Sequence, residues 1–221
     1  MARISEHHLR TSRTARFIVC GDPAAAPEAW FVLHGYRQLA ERFVRPFLQL
    51  PGVAEGRRAI VAPEALNRFY VERDASGPHG PESRVGAAWM TRADREHEIR
   101  DYVEYLDRIR AHARPGGGRT VVLGFSQGAE TASRWAVLGA MPPHELVLWG
   151  GGLAADVEPE RAAAALARTA VTFVVGDQDA WAAERADAGL GLLAGRGVAA
   201  RRVEYAGGHR IEPQVLASLW P

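Results

Sequence analysis

Thr120-Val121-Val122-Leu123-Gly124-Phe125-Ser126-Gln127-Gly128-Ala129 decides the fold. Apolar, β-branched residues climb to a serine with glycines two before and two after it, and helix-favouring residues follow at once. The stretch reads as a strand, a tight turn and a helix, with a hydroxyl at the apex. Displaying that hydroxyl strains the serine backbone and crowds the residues on either side of it. Glycine, which has no Cβ, relieves the crowding. Gly-x-Ser-x-Gly between strand and helix is the nucleophile elbow. The pentapeptide alone is a weak signal, because a glycine-rich turn also serves simply to pack a helix close to a strand.

The elbow requires two partners downstream, an acid and then a histidine, each in a loop after a strand. Ala170-Val171-Thr172-Phe173-Val174-Val175 runs into Gly176-Asp177-Gln178-Asp179, and Arg201-Arg202-Val203-Glu204-Tyr205 runs into Ala206-Gly207-Gly208-His209. A serine hydroxyl is a poor nucleophile at neutral pH, so His209 would take its proton as a bond to a carbonyl forms. An aspartate on the other ring nitrogen would fix the tautomer and stabilise the imidazolium. Of the two candidates, Asp179 is favoured, because its place past the last strand valine lets it curl back toward the histidine loop. Asp177 would then serve the turn. Charge developing on the carbonyl needs donors as well. Trp30-Phe31-Val32-Leu33 ends in His34-Gly35-Tyr36, which would bring the Tyr36 N–H near the elbow, and the Gln127 N–H at the helix start supplies a second donor. His34 itself reads as structural.

The 221 residues suit one domain spanning 1–221. Net charge is +1, with 27 basic and 26 acidic side chains interspersed, so nothing points to nucleic acid as a partner. The N-terminus lacks an apolar core and no run is long enough to span a bilayer, so a soluble cytoplasmic protein is the expectation. The lone Cys20 reads as packing. His7-His8 have no ligand-spaced partner, and no metal site is assigned. Oligomeric state is not legible.

Along the chain, residues 6–10 and 14–19 read as a hairpin, 29–34 as a buried strand, and 38–50 as a helix kinked at Pro46. A short strand at 59–62 and a helix over 92–113, with Thr91 and Asp94 in a capping-box-like start, follow. Beyond the elbow, strands at 145–149, 170–175 and 201–205 alternate with helices near 158–168, 181–194 and 212–219. That rhythm means α/β: a mostly parallel sheet with helices on both faces, binding its ligand at the strands' C-terminal ends. Residues 67–90 break the rhythm and read as a long loop over the active-site face, with Phe69, Tyr70, Trp89 and Met90 walling a pocket. Trp149 and Trp181 are further wall candidates.

With Leu33-His34-Gly35, Gly124-Phe125-Ser126-Gln127-Gly128, Gly176-Asp177-Gln178-Asp179 and Gly207-Gly208-His209 in place, the chain resembles the carboxylesterase/phospholipase group of α/β-hydrolases, which includes acyl-protein thioesterases. The resemblance implies Ser126, Asp179 and His209 as a triad, backbone donors at Tyr36 and Gln127, and a cofactor-free esterase without a large cap domain. The chain departs from the group at Tyr36-Arg37 after the His-Gly turn and at Ala180-Trp181-Ala182 after the acid. A serine esterase acting on short or medium acyl chains is the expectation. The same machinery serves thioesters, lysophospholipids, amides and peptides, and a catalytically silent binding protein on this fold is the rival from another class.

Overall fold

A computed structural model describes residues 3–71 and 79–220. The first half runs β1 (Phe17–Cys20), β2 (Glu28–Leu33), α1 (Ala40–Phe43), β3 (Arg58–Pro63), β4 (Asn67–Tyr70), β5 (Val85–Ala88) and α2 (Arg95–Ala113). The second half runs β6 (Arg119–Phe125), α3 (Gln127–Leu138), β7 (Glu145–Trp149), α4 (Pro159–Leu166), β8 (Ala170–Gly176), α5 (Ala180–Ala194), β9 (Ala200–Tyr205) and α6 (Pro213–Leu219). Seven strands form one sheet in the order β1-β3-β2-β6-β7-β8-β9, parallel throughout except for β1 at one edge.

Alternation along β2 shows why the sheet is covered on both faces. Ala29, Phe31 and Leu33 face a core shared with α2, α3, α4 and α5, whereas Trp30 and Val32 face a second core with α1, α6 and Trp220. Both sets are fully buried, which is why the strand reads as a continuous apolar run. The chain leaves β2 for β3 on one side, while β6 leads to β7 on the other. This topological switch opens a crevice at the C-terminal ends of β2 and β6, where Leu33 pairs with Gly124. Both His34 and Ser126 emerge there. No described helix is long and apolar enough to cross a membrane.

Four sequence expectations need correction. Residues 6–10 form no strand; β1 instead pairs antiparallel with β3, whose edge would otherwise stay open. The helix expected over 38–50 breaks into α1 and a 3-10 turn at Arg45–Gln49, because Pro46 has no N–H to continue the ladder. Asp94, not Thr91, precedes α2, in a left-handed conformation (φ 52°), and its carboxylate bonds His97 rather than the helix amides. Finally, the break at 67–90 contains an antiparallel ladder, β4 with β5, pairing Asn67 to Ala88 and Tyr70 to Val85. The expected loop's residues 72–78, Gly77 and Pro78 among them, lie outside the described residues.

Candidate active site

Ser126 sits at the apex between β6 and α3 with φ 56° and ψ −120°, a conformation costly for any residue bearing a Cβ. The flanking glycines make the turn possible. A Cβ at Gly124 would lie 2.0 Å from the Gly128 carbonyl oxygen, and one at Gly128 would lie 2.3 Å from that of Leu33. The Ser126 N–H donates to the Trp149 carbonyl at 2.9 Å, tying the elbow to the end of β7.

His209 reaches Ser126 from the turn after β9, its Nε2 2.9 Å from the serine Oγ. Its Nδ1 lies 2.5 Å from Asp179 Oδ2. An ionised carboxylate only accepts, so Nδ1 carries the ring proton and Nε2 is free to receive that of the serine. The two aspartates separate cleanly. Asp179 caps α5 through its other oxygen, which accepts from the Ala182 N–H at 3.1 Å, while Asp177 accepts from the Gly207 N–H at 2.9 Å and so braces the histidine turn. Trp149, expected as a pocket wall, and Tyr205, not singled out from sequence, hold that turn. Trp149 Nε1–H donates to the Arg210 carbonyl at 3.0 Å, and the Tyr205 hydroxyl lies 2.6 Å from the same oxygen and 2.8 Å from that of Gly208.

On the opposite side of Ser126, the loop after β2 passes so close that a Cβ at Gly35 would stand 3.2 Å from the serine Cβ. Neither the Tyr36 N–H nor the Gln127 N–H meets an acceptor among the described residues. His34 locks this loop. Its Nε2 accepts from the Ala65 N–H at 3.0 Å, so its proton is on Nδ1, which donates to the Gly35 carbonyl at 2.8 Å. Full burial depresses its pKa to about 4, keeping the ring neutral. The β4–β5 ladder supports the same loop: Arg37, at φ 68°, donates its N–H to the Ala87 carbonyl at 3.0 Å, and the Ala87 N–H returns to Gln38 at 3.1 Å. A Cβ at Gly86 would meet the Arg37 carbonyl oxygen at 2.5 Å, so only glycine lets the ladder come this near. The Gln127 side chain completes the brace, accepting from Trp89 N–H at 3.0 Å and donating to the Met90 carbonyl at 2.9 Å.

The six expected pocket walls scatter. Trp181 is half-exposed with its ring edge-on to His209, centroids 6.0 Å apart. Phe69 stacks on Tyr36, and the exposed Tyr70 stacks on His79. Met90 is half-buried, its sulfur 3.5 Å from Arg134. Trp89 and Trp149 are core residues and not walls. A buried indole needs an acceptor, and Trp89 finds one in the His34 carbonyl at 2.7 Å as Trp149 does in that of Arg210. A cleft of about 360 Å³ opens beside His209 and Phe125. Away from the serine, folding does bring partners to His8, since Asp94 and His97 gather around it. The two imidazoles are stacked with planes 22° apart, and His97 Nδ1 and His8 Nε2 lie 2.5 and 3.2 Å from Asp94 Oδ1.

A serine reached by an imidazole and carboxylate at the switch of an α/β-hydrolase-like sheet defines a serine hydrolase framework. The chain belongs to the serine hydrolase (FSH1) family, whose model matches residues 26–214. Its fold is similar to that of esterase PE8 (22% identity, 93% of this chain and 95% of that one, TM-score 0.66). It is also similar to a carboxylesterase from Mesorhizobium loti (18% identity, 93% of each chain, TM-score 0.69). A phospholipase/carboxylesterase from Dyadobacter fermentans shares it too (18% identity, 95% and 97% covered, TM-score 0.65). None of the curated proteins gives a significant sequence match.

Proposed function

We propose that the protein hydrolyses carboxylic esters of short or medium acyl chain through an acyl-enzyme on Ser126. The observation that carries this reading is the unbroken hydrogen-bond relay from Asp179 through His209 to Ser126, with the Gln127 N–H next to the serine, and that of Tyr36 in the loop packed against it, meeting no acceptor among the described residues. His209 takes the serine proton as Oγ attacks the carbonyl, and Asp179 holds the resulting imidazolium. The Tyr36 and Gln127 N–H groups receive the oxyanion, helped by the positive end of α3. His209 then returns the proton to the departing alkoxide, and a water activated by the same ring resolves the acyl-enzyme. A cleft of about 360 Å³ beside His209 suits a small acyl group.

The test is a graded series of nitrophenyl esters, each with its thioester counterpart, assayed for kcat/KM. Ester turnover that peaks at short or medium chains and disappears in Ser126→Ala supports the reading. Turnover confined to thioesters, or unaffected by Ser126→Ala, overturns it.

A further inference from the structure

The chain as a whole is near charge balance, but the cleft beside His209 is not. Arg37, Arg42, Arg84 and Arg210 all line it, and no aspartate or glutamate does. These arginines come from four separate places: the loop after β2, α1, the approach to β5 and the turn carrying His209. They do not form the stripe of a single solvated helix face. Arg210 is occupied, its Nε 3.1 Å from Glu212. Arg37, Arg42 and Arg84 have no carboxylate partner among the described residues, and Glu41, next to Arg42 in sequence, is directed to Arg16 at 3.8 Å. The remaining lining is mostly apolar, with Leu39, Phe43, Val85, Phe125 and Ile211 among it, and includes the polar Gln38 and His209.

Building on the ester-hydrolase reading, we propose that the substrate is an amphiphilic ester bearing an anionic group, a carboxylate or phosphate, which Arg37, Arg42 and Arg84 receive while its hydrocarbon portion lies on the apolar floor. Guanidinium forks suit both oxyanions, since each offers paired acceptors in one plane. The Arg37 backbone is bonded to Ala87 and packed against Gly86, which fixes the point beside the cleft from which its exposed side chain extends.

The experiment compares nitrophenyl esters of one chain length that end in a carboxylate, a phosphate or a neutral methyl ester. Selectivity is read as the ratio of kcat/KM for each anionic ester to the neutral one, at low and high salt. An advantage of about tenfold or more for an anionic ester, shrinking with salt, is expected from cations at a partly exposed site. Arg42→Gln/Arg84→Gln should lower that ratio, and Arg42→Glu/Arg84→Glu should invert it. Whichever anion gains more identifies the source. Turnover of the neutral ester with a ratio near one, unmoved in these variants, refutes the anion proposal alone. A folded protein that turns over no ester in the set refutes the ester reading and this proposal together.

Discussion

The two flanks of Ser126 are fastened in different ways. The His209 flank is held within the sheet, since Asp177, Tyr205 and Trp149 all lie at the ends of neighbouring parallel strands. The Tyr36 flank is held from outside it, by a two-stranded ladder that reaches back across the chain and by the side chain of Gln127. The first arrangement follows from the fold itself. The second is an addition to it, and the unpaired arginines gather on this added side. In the proposed mechanism, proton transfer rests on the frame within the sheet and the proposed anion recognition on the attachment.

The largest expected effect tests the framed flank. Asp179→Asn should lower kcat about 10⁴-fold by leaving the imidazole in the wrong tautomer. Asp177→Asn, which disturbs only the turn, should cost less than about tenfold. Equal losses in steady-state kinetics would erase the distinction between the two carboxylates.

The added flank should show in the pH dependence of folding. His34 takes a proton near pH 6.5 when unfolded and near 4 when folded, so between those values the unfolded chain holds more protons. Stability should therefore fall as pH drops from 6.5 to 4, by up to about 3 kcal/mol, and this contribution flattens below 4. Urea unfolding of wild type and His34→Gln across that window checks it, and the variant should have the shallower slope.

Smaller effects compare the two braces directly. Gln127→Ala frees the Trp89–Met90 segment and should lower kcat about tenfold, with little change in KM for a neutral ester. Tyr205→Phe removes one bond beneath the histidine turn, where the Trp149 indole still holds Arg210, and should cost only a few-fold in kcat. The reverse ranking would mean that the histidine turn is the weaker mount.

What could be read from sequence divides along the same line. The elbow was legible because Gly124 and Gly128 answer a local steric demand, and β7 and β8 after it are short, mostly apolar runs with clear stops. Asp179 was legible because it follows such a run, and His209 because Gly207 and Gly208 end the more polar β9 just before it. The β4–β5 ladder was not, because its pairing of Asn67 with Ala88 and its seat on Arg37 depend on distant contacts, and the only local trace was Gly86. Trp89, an aromatic at the end of the long 67–90 segment, and Trp149, near a strand's end, read as walls from those positions. Their indole N–H groups, satisfied by backbone carbonyls in the interior, place them in the core. The cluster of arginines was hidden because its members are spread from Arg37 to Arg210.

The central claim is that folding alone makes Ser126 a nucleophile. It is tested most directly by treating the protein with a fluorophosphonate and mapping the modified peptide by mass spectrometry. The account expects one adduct, on Ser126, greatly slowed in His209→Ala. Well-folded wild-type protein that takes no label, or takes it on another residue, would contradict it.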